Sequence, residues 1–533
     1  MSARAVCFLL LVATLAYAGK SGKDAKHEGD VFQTSDRCIA CHVGLITPSG
    51  QDVSIGYDWR SSIMANSSRD PYWQASIRRE AIDHPESTRG IEDECSVCHM
   101  PMPRYESKLK GQLGEVFNHF PLDSDEDKQA ADGVSCSVCH QISKNKLGTR
   151  ESFNGGFVLD APAHDGTHRE YGPFEIQKGQ TRIMQTSTKG YQPNNDKHIQ
   201  QSEVCATCHT LYTKAIGAGG REVGVLPEQM PYPEWLHSDF KDKQSCQSCH
   251  MPAVNEPVRI TRVLGIPRAG LARHVFVAAN FFMQRMLDRY RDDLSVVAQS
   301  QDLTAAADRT TAFLQAKTAT IAVSVPAVRN GRVEADVTVV NLSGHKFPSA
   351  FPSRRAWLHV TVRDSGNRVV FESGALHPDG SIEGNDNDLD PKRFERHYTE
   401  IRSADQVQIY EDILQDENGH VTTGLLQAVT YLKDNRLLPR GFDKATADKD
   451  IAVHGEAAQD PAFTDAGHKV HYSVDVRNAQ GPFHVEAELW YEPIGFRWAN
   501  NLKPYDAAEP QRFTGYYDSM AKGAAVLVVR AEH

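Results

Sequence analysis

No cysteine follows Cys249 in a chain of 533 residues, although the sequence holds 11. The second half can therefore carry neither a disulfide nor a thiolate metal site, and sulfur chemistry is confined to the first half. No stretch after the leader has the roughly 18 uninterrupted apolar residues of a membrane-spanning helix, so an integral membrane protein is not expected. Positive charge is in deficit: 58 Lys and Arg stand against 69 Asp and Glu, a formal charge of −11. That balance argues against nucleic acid or a bare anionic membrane as partner and is compatible with a basic redox protein. Neither a Gly-rich phosphate loop nor a nucleophile–base arrangement is visible.

The cysteines that are present follow one rule. Ten of them form five Cys-x-x-Cys-His motifs. The first is Cys38, Cys41 and His42, the second Cys95, Cys98 and His99, and the third Cys136, Cys139 and His140. The fourth is Cys205, Cys208 and His209, and the fifth Cys246, Cys249 and His250. This spacing reads as covalent attachment of haem c, with two thiols adding to two vinyl groups on one edge of the macrocycle. The adjacent histidine then reaches the iron as proximal ligand. A dithiol redox pair or a zinc site would not explain a histidine after every pair. Five haem c groups are the expected cofactors. Motifs two to three and four to five are both 41 residues apart, first Cys to first Cys, a spacing that an ancient duplication would leave.

Residues 1–18 read as a signal peptide: Arg4 in a short basic start, an apolar run from Ala5 to Leu15, and Ala16-Tyr17-Ala18 as a small-x-small cleavage site. Cys7, the odd cysteine, leaves with it. Export to the periplasm, the extracellular space or the cell surface fits the chemistry, because covalent haem attachment takes place outside the bacterial cytoplasm.

Length and chemistry divide the rest. Residues 19–300 form the haem-bearing region, repeatedly broken by turn clusters such as Asn154-Gly155-Gly156, with short helices carrying the motifs. Phe281–Ala298 and Leu303–Leu314 have helical periodicity, and 301–318 reads as a helical connector. Residues 319–533 alternate with period two. Arg332–Val340, Trp357–Val362 and Val369–Phe371 are expected strands, Val470–Val476 and Phe483–Tyr491 an expected hairpin, and Ala524–Val529 a final strand. The expected fold is multidomain, a mostly α/irregular haem region followed by an antiparallel β-sandwich-like domain.

Each iron also needs a sixth ligand. Outside the motifs the haem region contains His27, His84, His119, His164, His168, His198, His237 and His274. Two imidazoles hold iron low-spin and suit electron transfer. We select His84, His119, His198, His237 and His274, with His164 and His168 in reserve and His27 too near the N-terminus. The methionines, among them Met100 and Met251, read as core filler. Gly344-His345-Lys346-Phe347-Pro348 reads as a structured turn of the β-domain, the alternative being a ligand or a lysine offered to the haem region. The oxygen-rich run Asn385 to Asp390, with Asp386, Asp388 and Asp390, could hold Ca2+.

On these residues the chain resembles the multihaem c-type cytochromes of the cytochrome c-554-like (cytochrome c-552/4) class. More narrowly, it is similar to exported bacterial cytochromes in which such a region precedes a β-domain. The flanking segments that carry the resemblance are Ser62–Ser67, Asp70-Pro71, Gly133–Cys136, Glu228–Trp235, His274–Met283, and Gly344–Pro348 running on through Arg354–His359. The resemblance implies electron transport. It supports His119, His198 and His274 as ligands, and His84 and His237 less. Tetrahaem relatives have four motifs, so the place of the fifth haem does not carry over.

The expectation is thus an exported pentahaem electron carrier, more a carrier than a catalyst. It would pass electrons between redox partner proteins, quinol-linked or other cytochromes. The alternative is a reductase in which one open haem acts on a small nitrogen or sulfur compound. A third class is a haem-bearing subunit that stacks into a conductive filament. The sequence does not give the oligomeric state.

Overall fold

The structure is a computed structural model that describes residues 31–160 and 168–533. The leader segment 1–18, His27 and His164 lie outside the described residues.

The first part consists of short helices joined by turns. Its first long helix, Pro71–Asp83, starts where Asp70 accepts hydrogen bonds from the amides of Tyr72 and Trp73, with proline at the first helical position. The next, Thr88–His99, carries the second motif at its C-terminal end. Gly133 shows why the chain can approach the third motif closely. At its φ of 58° a Cβ would lie 2.7 Å from the Met64 carbonyl oxygen, so only glycine fits.

Phe281–Arg289 is helical and buries Phe281, Phe282, Met283, Met286 and Leu287. The expected helix to Ala298 stops at Arg289. A turn then continues through Ser295, whose φ is 52°, and still delivers Leu294 and Val296 to the core. The periodicity fails there for burial as well, since Val297 is exposed and Val296 takes the inward place. Ser300–Lys317 is one continuous helix over the predicted 303–314 segment.

The second part contains two sheets. In one, Arg332–Asn341 pairs antiparallel with Gly467–Asp475 and with Ala319–Val323. In the other, Arg355–Arg363 lies between His484–Glu492 and Ile409–Asp416 and also pairs with Val369–Ser373. Val526–Glu532 closes that sheet against His484–Glu492. Val333, Ala335, Val337 and Val339 of the first sheet share one core with Ala356, Leu358, Val360 and Val362 of the second. Phe371 and Tyr472 meet across the gap at 6.3 Å. The sheets therefore pack face to face, with alternate residues inward.

The expected hairpin of 470–476 with 483–491 does not form. Each strand pairs instead with a partner more than 100 residues earlier, in different sheets. Alternation fixes which face is buried, but non-local pairing decides the neighbour.

The two parts are fastened along the Pro71–Asp83 helix. Arg78 donates two hydrogen bonds to Glu509, at 2.9 and 2.8 Å, from the helix Ala508–Met520 that packs alongside. Tyr505 donates to Asp83 at 2.8 Å, and the Leu425 amide donates to Glu80 at 2.9 Å. Tyr72, Met230 and the Phe281–Arg289 helix belong to the same apolar cluster as both sheets.

The acidic run does not converge on a cation site. Asn385 caps the short helix Asp386–Leu389. Asp388 pairs with Arg355 at 2.7 Å, Asp386 pairs with Arg393, and Asp390 accepts from the Lys392 amide. Arginines and backbone amides thus take both oxygens of Asp388 and one each of Asp386 and Asp390.

A buried group of His468 on the first sheet with His397 and Asp460 from flanking loops has the composition of a metal site. Its hydrogen bonds say otherwise. Asn435 Nδ2 and Gln408 Nε2 face His397 Nδ1 at 3.1 and 3.4 Å, and the oxygens of both amides accept backbone N–H groups. Nδ1 is therefore an acceptor, and Nε2 carries the proton that Asp460 Oδ2 accepts at 3.0 Å. A metal would need that lone pair, so the group is a structural hydrogen-bond network.

Two outcomes follow for stability. Asp460→Ala should cost about 1–3 kcal/mol by stranding the His397 donor, whereas dialysis against EDTA should leave the thermal midpoint unchanged. Leu358→Ala in the shared core should cost about 2–5 kcal/mol, and Val325→Ala, at a position 71% exposed, within about 0.5 kcal/mol. Circular dichroism melts check both.

Candidate functional site

Each motif sits on a helical turn or a helix end. The His42 amide donates to the Cys38 carbonyl at 3.1 Å, and the His209 amide to the Cys205 carbonyl at 3.0 Å. Residues three and four apart share a helix face, so both thiols and the imidazole project to one side.

The first motif departs from the expectation that a helix carries it whole. The helix Ser35–Ile39 includes Cys38 but ends before Cys41, which lies on the turn that follows. The Cys41 amide donates to the Cys38 carbonyl at 3.1 Å, a tighter bond than the helical one. The Cys41 carbonyl accepts from the Arg262 amide at 3.0 Å, so a segment 221 residues away takes the place of a further helical turn. Cys41 and Cys38 are both free, half-buried cysteines, as the motif requires. Cys208 likewise follows the end of its helix, Ser202–Ala206.

Four of the five motif imidazoles are fixed in the same way. Nδ1 of His42 bonds the Ile260 carbonyl at 2.5 Å, that of His99 the Ser67 carbonyl at 2.8 Å, that of His140 the Tyr171 carbonyl at 2.6 Å, and that of His250 the Val277 carbonyl at 2.6 Å. A carbonyl can only accept, so Nδ1 keeps the proton and Nε2 keeps its lone pair. Burial reinforces neutrality by pushing His99 and His250 down to about 4. His209 is also lowered by burial, with Arg354 adding to the effect. Trp73 stacks on His99 at 4.2 Å with planes 3° apart.

Two of these rings face a second histidine. His140 and His274 have centroids 6.2 Å apart and planes 18° apart, and His250 and His345 stand at 6.3 Å and 6°. Nδ1 of His274 bonds the Ala272 carbonyl at 3.0 Å, and that of His345 the Lys346 carbonyl at 2.9 Å. All four rings therefore have Nε2 left over. With a metal–imidazole bond of about 2.0–2.1 Å, two rings on opposite sides of one ion have centroids about 6.3 Å apart. The spacing fits a shared iron. Burial lowers His274 to about 3, with His140 adding to the effect.

The other selected histidines divide. His119 bonds Asp127 through Nδ1 at 2.9 Å and lines a cavity of about 460 Å3 beside the second motif's helix, with Arg89, Glu106 and Lys110. His84 is buried, and its Nε2 has no hydrogen-bond partner among the described residues. The Nδ1 bond of His119 leaves its Nε2, and the Nε2 of His84 stands 4.0 Å from Glu80 Oε2. In His198, Nε2 bonds the Ile142 carbonyl at 2.7 Å, and Nδ1 lies 3.1 Å from Asp196. His237 Nε2 is likewise bonded to the Asp443 carbonyl at 3.0 Å. Each ring thus gives Nε2 to a backbone carbonyl that sequence spacing cannot reveal, which leaves Nδ1 as its remaining nitrogen, and in His198 that atom has no hydrogen-bond partner among the described residues. The reserve His168 is buried against Tyr191, and its Nδ1 has no hydrogen-bond partner among the described residues.

His345 is not among the five selected histidines, because the sequence favours a structured turn of the β-domain for its segment over the alternative of a ligand. Its signal was the Gly-His-Lys-Phe-Pro segment itself. Gly344 packs so closely that a Cβ would lie 3.3 Å from both Trp235 and Phe240. The segment is therefore more than a turn of the β-domain.

Thiols of different motifs lie close enough to perturb one another: Cys38 with Cys136, Cys98 with Cys208, and Cys205 with Cys246. Cys139 also interacts electrostatically with Cys208. Cys249 Sγ instead faces Gln244 Oε1 at 3.4 Å. Burial pushes the Cys139 thiol up to about 12 and raises that of Cys95, whereas Cys205, beside Cys246, lowers that thiol to about 7. Among the described residues, no three metal-ligating side chains from the motifs converge. Met100, Met102, Met230, Met283 and Met286 are buried as core filler, whereas Met64, Met184 and Met251 are half-buried.

No protein-family model matches the chain. No curated protein matches it either. Among solved structures, it superimposes on the crystal structure of a penta-heme cytochrome c552 from Thermochromatium tepidum, with a TM-score of 0.50 and 15% identity over 95% of this chain and 100% of that one. At such identity the likeness concerns architecture, and it is with the fold of that penta-heme cytochrome that this chain shares its own.

Proposed function

We propose that the chain is an exported multihaem c-type cytochrome that moves electrons along five covalently attached haems. One observation carries the reading: five thiol-pair motifs whose histidines are neutral and, in four cases, locked by Nδ1–carbonyl bonds with Nε2 free. The shared fold with a protein titled penta-heme supports it. Haem, when bound, supplies an iron that exchanges one electron between ferrous and ferric states.

The chain's own part is to fix distances and tune the irons. His274 would complete the site of His140, and His84, His119 and His168 keep a nitrogen free for other sites. The closeness of thiols from different motifs suggests the order of neighbours. The first site adjoins the third, the third the fourth, and the fourth adjoins both the fifth and the second. His209 and His250 also interact electrostatically, as expected of adjacent sites. Electrons entering at the first site would then reach a branch at the fourth. The Asp127 carboxylate makes His119 a stronger donor, which favours ferric iron and lowers the potential there. No described helix is long and apolar enough to cross a membrane. Redox proteins outside the cytoplasm are the proposed partners.

Intact-mass analysis of the exported protein should show five added haem groups, and Cys136→Ala with Cys139→Ala should lower the count to four. Fewer than five in the parent protein would sink the reading. Magnetic circular dichroism should find low-spin irons, whereas a high-spin iron that binds nitrite or hydroxylamine would move the assignment to a reductase. Asp127→Asn should shift one haem potential upward in a spectroelectrochemical titration and leave the others in place.

A further inference from the structure

We propose that His345, carried by the β-region, is the sixth ligand of the haem iron bound through His250. This rests on the reading of the motifs as haem sites and adds a residue from outside the haem-bearing region. The ring centroids stand 6.3 Å apart with planes within 6°, the spacing of two imidazoles on opposite sides of one ion. Both rings have Nδ1 bonded to a carbonyl, that of His250 to Val277 and that of His345 to Lys346, so Nε2 is the atom each has left.

The segment around His345 is built to hold that ring still. Asn341 Nδ2 donates to the carbonyls of His345 and Leu437, at 2.8 and 2.9 Å, and Ser343 Oγ donates to the His345 carbonyl at 3.0 Å. Glu234, on the helix Pro231–Leu236 that precedes the fifth motif, accepts from the Lys346 amide at 3.1 Å and from Ser349 Oγ at 2.7 Å. Its other oxygen pairs with Arg436 at 3.1 Å. The Lys346 ammonium is fully buried against Asp434 and cannot compete for an iron. Gly344 lets the backbone lie on Trp235 and Phe240. Ligand, loop and fifth motif are thereby tied into one unit, and coordination at the last site depends on the β-region.

The test compares the parent holoprotein with His345→Ala, produced with the haem-attachment machinery. In the variant five haems should remain by mass, while the high-spin ferric signal in electron paramagnetic resonance should rise by one fifth of the total iron. Added imidazole should reverse that rise. His377→Ala, on the exposed face of the β-region, should change nothing. Five haems with no gain in high-spin iron would overturn this assignment alone, whereas fewer than five in the parent would overturn the underlying reading. Should His345→Ala fail to accumulate, His345→Met decides: one new methionine-to-iron charge-transfer band in the far red supports the ligand role, and its absence from a folded, five-haem variant refutes it.

Discussion

The hydrogen bond from an imidazole Nδ1 to a fixed backbone carbonyl is the constraint on which the arrangement of sites depends. A neutral imidazole has one proton. Once a carbonyl claims it at Nδ1, both the tautomer and the ring direction are set. In this chain the carbonyls come from Ile260, Ser67, Tyr171 and Val277, none of them local to the motif they serve. Ser67 and Tyr171 lie between motifs, the latter on the short strand His168–Gly172, and Ile260 and Val277 follow the last one. The segments outside the motifs are therefore not filler. They bring carbonyl groups to defined points, and a loop with few regular backbone bonds has carbonyls to spare for that purpose.

A second device operates at the boundary between the two parts. Lys346, Arg436, Asp434, Asp412 and Glu234 form a buried cluster in which every charge has a partner. Such clusters add little net stability compared with apolar packing, but loss of one member is severe, of order 3–5 kcal/mol. What the cluster supplies is register. It permits one placement of the Gly344–Pro348 segment on the Pro231–Leu236 helix, where an apolar contact would tolerate sliding.

Much of this was legible in the sequence. The five motifs stood out by spacing alone, and Val333, Ala335, Val337 and Val339 announced a strand with one buried face, as found. His274 was picked from the apolar stretch it opens. The rest depended on contacts that no local pattern encodes. Cys41 sits on a turn rather than a helix because the Arg262 amide, from far along the chain, binds its carbonyl. His198 and His237 looked as available as His84, yet backbone carbonyls 56 and 206 residues away occupy their Nε2 atoms. His345 sits 95 residues beyond the last motif histidine by its number; the sequence offered its segment only as an alternative source of a ligand, and folding sets the ring opposite His250. The strands at 470–476 and 483–491 looked like neighbours because they are close in sequence, but each sheet recruits partners from far upstream. The acids of 386–390 suggested a cation, and the arginines that neutralise them come from elsewhere in the chain or from the turn that follows.

The clamp along Pro71–Asp83 reaches further than its place suggests. One end of that helix carries Trp73, whose indole covers the His99 imidazole. The other is gripped by Tyr505 and Glu509 through Asp83 and Arg78. Truncation before residue 505 would remove both grips without touching a motif. The indole would then be free to drift from the ring it shields, and water could enter beside it. The C-terminal tail thus acts as a keystone for a site some four hundred residues upstream.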